Sequence, residues 1–175
     1  MKKAVVIYSS KYGATKKYAE WIGEALNAEV FEAKSFDDKN FANYGAIIFG
    51  CGLYAGQLSL KNMLTKNFEQ IKNKKTAFFT VGLEDPAKAK EKIISQFSVF
   101  SVNVRVFCLR GALNSENLSF VHKQGLNMLK FVLSKKKSEE LTETEKEILA
   151  AIDKKSVDFM NKNAILPLVE FVKEK

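Results

Sequence analysis

Five short apolar runs, separated by stretches of helical periodicity, set the limits on how this chain can fold. They are Ala4–Tyr8, Glu29–Ala33, Ala46–Cys51, Thr76–Val81 and Val104–Leu109. Strands that alternate with helices pair in parallel, and the crossover helices then cover both faces of the sheet. A strand buried on both faces reads as a near-continuous apolar run, as four of these do. Glu29–Ala33 carries Glu29 and Glu32 and is expected at an edge.

The helices expected between them are Thr15–Leu26, Leu60–Ile71 and Pro86–Phe97, each with apolar residues repeating on one face. Asp85 and Pro86 start the third as N-cap and first helical residue. Two more follow the fifth strand, Leu118–Leu133 and Glu143–Asn161, the latter opened by the capping box Thr142-Glu143-Thr144-Glu145. An apolar tail, Ile165–Val172, contains Pro167 and reads as a short helix docked on the body. Without repeats or a linker, residues 1–175 are expected to form one domain, with a basic apolar insertion at 118–137 and C-terminal helices at 142–175.

The loop after the first strand carries the first chemistry. Ser9-Ser10-Lys11-Tyr12-Gly13-Ala14-Thr15 joins a strand to a helix through hydroxyls and one glycine. Backbone N–H groups at a helix N-terminus, helped by hydroxyls, hold an anion without a metal. The glycine triplet of a dinucleotide loop and the Gly-Lys-Ser/Thr of a triphosphate loop are both absent. A phospho-acceptor receiver would need an acidic pair here and an aspartate after the third strand, where Cys51 stands. What remains is a single phosphate held by Ser10, Thr15 and the amides of Ser9 and Lys11–Ala14, with Lys11 adding charge. A turn that merely caps the helix is the alternative.

Two further loops leave strand carboxyl ends, where doubly wound sheets bind ligands. Gly50-Cys51-Gly52-Leu53-Tyr54-Ala55-Gly56-Gln57 frames an aromatic with glycines that admit a flat ligand, and Tyr54 is expected to flank it. Gly82-Leu83-Glu84 would line the other side. Together the loops, with Gly52, Leu53, Tyr54 and Ala55 in the second, describe a pocket for a flat heteroaromatic ring bearing one phosphate. Flavin mononucleotide (FMN) fits that description.

The segment Ser10–Thr15 resembles the phosphate loop of the flavodoxin family, Ser/Thr-x-Thr-Gly-x-Thr, matching at Ser10, Gly13 and Thr15; Tyr12 replaces the middle threonine. The resemblance spans roughly residues 3–113. It implies a flavodoxin-like three-layer sandwich with five parallel strands in the order 2-1-3-4-5, and non-covalent FMN. It also implies Tyr54 as the aromatic of the second loop and Gly82–Glu84 in the third. Gly50 to Gly56, and Gly111-Ala112-Leu113 after the fifth strand, are similar to the menaquinone-dependent protoporphyrinogen oxidase group, although Tyr54-Ala55-Gly56 departs from that group's adjacent Tyr-Gly. That group is basic, unlike the typically acidic electron-shuttle flavodoxins, and has a basic, apolar helical segment after its fifth strand. The insertion here is short of the aromatic and arginine residues seen in that group, so its substrate does not carry over.

The expected activity is FMN-dependent electron or hydride transfer between an organic donor and an acceptor, a quinone-type substrate or a redox partner, with no side-chain acid or base. A soluble electron shuttle and a flavin-free scaffold are the rivals. The net charge is +8, and of 28 basic residues only Arg105 and Arg110 are arginine, the side chain best suited to reading bases; nucleic acid is not expected. Cys51 and Cys108 lie within apolar strands, as reduced, buried thiols would. Met1-Lys2-Lys3 enters the first strand without an apolar signal segment, so a cytoplasmic location is expected.

The Leu118–Leu133 helix is apolar around far more than the ~100° that one buried face requires. The tail Ile165–Val172, a homodimer interface, an apolar substrate or peripheral contact with the inner membrane face could cover it. Arg110 to Lys137 holds six basic residues against Glu116, a composition suited to an interface; a solvated helix end is the alternative. His122 is the single histidine, and nothing clusters with it as a metal site would require.

Overall fold

The structure, a computed structural model, describes residues 3–54, 57–96 and 104–174. Five strands form the parallel sheet: β1 (Ala4–Ser9), β2 (Glu29–Glu32), β3 (Ala46–Tyr54), β5 (Lys75–Gly82) and β6 (Val104–Arg110). They run in the order β2-β1-β3-β5-β6, which is 2-1-3-4-5 among parallel strands, with the polar β2 at the edge as its glutamates suggested. A short β4 (Gln57–Leu58) returns antiparallel on the end of β3.

Alternation along the strands splits the core in two. Val5, Ile7, Phe49 and Phe78 point to one face, beneath α2 (Lys61–Lys66), α3 (Phe68–Ile71) and α4 (Pro86–Gln96). Val6, Ile48 and Phe79 point to the other, beneath α1 (Ala14–Leu26) and α7 (Leu166–Lys173). Asp85 caps α4 as expected, its carboxylate accepting the Ala87 and Lys88 amides at 2.9 and 3.2 Å.

Several expectations are corrected. The helix expected over Leu60–Ile71 breaks at buried Asn67, whose side-chain amide donates to Asp38 and to the Met63 carbonyl, both at 2.9 Å. Ala33 begins a 3₁₀ turn instead of ending β2. The helix expected over Glu143–Asn161 is α6 (Glu143–Asp153); Lys155 then adopts the left-handed conformation and Ser156–Asp158 becomes β8. This strand pairs antiparallel with β7 (Ala112–Asn114), a small second sheet with no forewarning in the periodicity. Phe97 lies outside the described residues.

Tyr18 and Arg110 tie this C-terminal part to the sheet. The Tyr18 phenol donates to the Arg110 carbonyl at 2.8 Å and accepts the Asn161 amide at 3.0 Å. Arg110 lies 3.7 Å over the Phe159 ring and pairs with Glu147 at 2.6 Å.

The tail forms the expected docked helix, but it does not cover the helix α5 (Phe120–Ser134). It seats Leu168 and Val169 against the α1 side of the sheet, while α5 is braced by α6 through Lys130–Asp153 at 2.6 Å and Lys136–Glu145 at 2.7 Å. Among the described residues no helix is long and apolar enough to cross a membrane.

Candidate functional site

A cavity of about 990 Å³ opens at the carboxyl ends of the central strands. Its floor is the end of the phosphate-type loop, where Gly13 (φ 94°) turns the chain left-handed into α1. A residue with a Cβ resists that turn; glycine does not. Gly13 is the helix N-cap and offers no side-chain cap to the first turn, which leaves those amides for another acceptor. Thr15, in that turn, is 1 % exposed and lines the cavity, and its hydroxyl has no hydrogen-bond partner among the described residues.

Ser10 acts within the loop. Its Oγ accepts the Gly13 amide at 3.1 Å, closing the turn while keeping its own proton to donate. The Gly13 amide, expected to assist the phosphate, is therefore already spent on Ser10. Ser9 ends β1 beside Cys51, and Lys11 is exposed with Nζ 3.5 Å from Ser119 Oγ. Of the loop, Tyr12, Ala14 and Thr15 line the cavity.

The expected second loop is mostly strand: β3 runs through Gly52, Leu53 and Tyr54 before reversing into β4. Leu53 lines the cavity and Gly52 lies behind it in the sheet. Gly50 does not serve a flat ligand. A Cβ there would fall 2.0 Å from the Phe79 ring, so the glycine makes room for a core aromatic. The Tyr54 side chain and Ala55 lie outside the described residues. Gly82, Leu83 and Glu84 also line the cavity, Gly82 beside Leu53 on the neighbouring strand, with Glu84 paired to Lys92.

Sequence reasoning missed the roof. Leu118, Val121, His122, Gly125, Leu126 and Leu129, on or beside α5, close over the cavity. The Tyr12 hydroxyl lies 2.7 Å from His122 Nδ1 and 3.4 Å from Ser119 Oγ, and accepts the Ser119 amide at 3.2 Å. The two rings meet edge to face at 5.6 Å. Burial pushes the Tyr12 phenol up, but Ser119 and then Lys11 outweigh it, so its pKa lies below the ordinary tyrosine value. The substitution that removed a loop threonine thus tethers the loop to α5. A histidine one turn inside a helix opened by Ser119 was the available signal.

Both cysteines are free thiols. Burial raises Cys51 to about 11. Burial also raises Cys108, which lines the cavity and accepts the Thr80 hydroxyl at 3.4 Å. The cavity is apolar apart from a few such groups, with Glu84 the carboxylate at its rim.

The model of the flavodoxin domain matches residues 5–142. The chain belongs to the flavodoxin domain family. The match extends past the fifth parallel strand and through α5. Among solved structures, a candidate flavoprotein from Bacteroides uniformis is 15% identical, covering 71% of this chain and 97% of that one, with a TM-score of 0.45. A flavodoxin from the domain Archaea is 16% identical, covering 87% and 97%, with a TM-score of 0.43. No curated protein matches this flavodoxin-domain chain.

Proposed function

We propose that this flavodoxin-domain protein binds FMN non-covalently and transfers electrons or hydride between an organic donor and an acceptor. The observation that carries the reading is Thr15: a buried residue in the first turn of α1, at the cavity floor, with a hydroxyl unengaged by any described residue. The residues fit the group. Thr15, Ser10 and the first amides of α1 suit a phosphate dianion at the positive end of a helix. Leu53, Gly82 and Leu83 line the cavity with little polar surface, which suits a flat ring.

When bound, the isoalloxazine supplies the redox chemistry. The chain's own residues orient it and exclude water. Thr15 and the α1 amides would anchor one end, and the Leu53 and Leu83 walls would fix the ring plane. The apolar α5 roof would keep the reacting edge dry. Glu84 is engaged with Lys92, Cys108 is held as a thiol, and Tyr12 and His122 are hydrogen-bonded to each other at the cavity wall.

A small organic substrate is favoured over a protein partner, because the roof presents Val121, Leu126 and Leu129 to the cavity. That supports an oxidase-like reading, of which the protoporphyrinogen oxidase-like activity is the more specific form. Fluorescence titration tests the core of the proposal. FMN should bind more tightly than riboflavin, and Thr15→Ala should weaken FMN by ~1–3 kcal/mol while leaving riboflavin unchanged. Absence of FMN uptake by the unaltered protein would overturn the reading.

A further inference from the structure

We infer that the outer stripe of α5 docks on an anionic lipid bilayer. At about 100° per residue, Phe120, Val121, Met128, Phe131 and Val132 fall within one arc of the helix. They are 74, 74, 70, 61 and 47 % exposed. The opposite arc faces inward, with Leu133 buried and Leu126 in the cavity roof. The helix is therefore apolar on two sides, and its inner side already has a role. Neither α6, which braces it, nor α7, which docks on the far side of the sheet, covers the outer one.

Charge identifies the occupant. Lys135 lies within the apolar arc, its ammonium 4.1 Å from the Phe131 ring centroid. Lys135 and Lys137 are exposed and have no carboxylate partner among the described residues. Lysines beside exposed aromatics extend to phosphate headgroups while the rings enter the acyl boundary. The whole chain, at +8, is attracted to the same surface.

A second copy of the chain fits less well. The helix gives a stripe ~22 Å long and ~11 Å wide, a footprint of ~240 Å². Stable protein interfaces bury ~800 Å² per partner. Two copies would also bring like charge together. The stripe continues into the cavity, since Val121, Met128 and Leu129 also line it. Docking would therefore set the cavity mouth at the lipid boundary. The inference does not require FMN.

Flotation of the full chain tests it, with vesicles of phosphatidylcholine alone and of phosphatidylcholine mixed with phosphatidylglycerol. Binding is expected only to the anionic vesicles, and to fade between about 0.15 M and about 1 M salt. Phe120→Ser with Phe131→Ser should abolish it with unchanged circular dichroism, because both rings are already in solvent. Lys135→Gln and Lys137→Gln should each weaken it about fivefold. No flotation with anionic vesicles, or undiminished flotation of the double serine variant, would overturn the inference. So would a dimer in sedimentation velocity that those serine variants dissociate, which would assign the stripe to a second copy.

Discussion

Tyr12 shows how one substitution redistributes a loop's chemistry. Its backbone still contributes to the loop, while its phenol leaves the phosphate position for His122 and Ser119. The 2.7 Å contact is satisfied when the phenol donates to Nδ1 of an imidazole protonated at Nε2, with the Ser119 amide donating to the phenol oxygen. A net hydrogen bond of this kind contributes ~0.5–1.5 kcal/mol. Tyr12→Phe should thus speed amide exchange at the start of α5 and weaken FMN several-fold. Residues that act as one unit are non-additive. The double variant Tyr12→Phe/His122→Ala should cost no more than the larger single effect; additive losses in a double-mutant cycle would show that the pair is not a tether. Ser10, Gly13 and Thr15 were legible as a loop because glycine and hydroxyls have few other reasons to sit between a strand and a helix. The tether was not, because the contact bridges more than a hundred residues and leaves no local pattern. Gly50 misled for a related reason: the ring that requires it comes from a neighbouring strand.

At the scale of elements, the strands were readable because burial on both faces forces apolar runs, and the capping box marked the start of α6. The end of α6 was not, since Asp153-Lys154-Lys155-Ser156 holds neither glycine nor proline, and pairing with β7 is a long-range choice. The second loop was misread in the same way, its glycines suggesting a turn where β3 continues. The start of α6 also carries a pH signature. Thr142 Oγ1 accepts the Glu145 amide at 3.3 Å, and Glu145 accepts the Thr142 amide at 2.9 Å and pairs with Lys136 of α5 at 2.7 Å. Lys136 and then the Thr142 amide hold the Glu145 carboxyl down to about 2, from 4.5. A depressed carboxylate stabilises the folded form above its unfolded pKa, and that contribution is lost as the proton returns. Stability from this contact should be full above pH 4.5 and fall as pH drops toward about 2. Glu145→Gln should flatten that part of the profile; the difference in urea midpoint between variant and parent should shrink across the window. A difference independent of pH would remove Glu145 from the α5–α6 brace.

For the whole molecule, the sheet divides its labour between its faces and its end. One face is sealed by α2, α3 and α4, and the other by α1 with the distant α7, which leaves the carboxyl end of the sheet and α5 for the site. Because α7 closes a core face, its apolar side chains should hold the fold and not the cavity. Leu168 is fully buried, whereas Leu166, on the same helix, is 52 % exposed. Removing a buried leucine side chain costs ~2–5 kcal/mol through lost burial and the cavity left behind. Leu168→Ala should lower the urea midpoint accordingly, and Leu166→Ala should cost under ~0.5 kcal/mol, as surface changes do. Neither should alter the affinity for FMN measured below its own unfolding range, because α7 lies across the sheet from α2–α4 and contributes no residue to the cavity wall. Equal destabilisation by the two variants would mean that α7 is not docked as described. A selective loss of FMN affinity with Leu168→Ala would mean that the core face and the carboxyl-end site are coupled through the sheet.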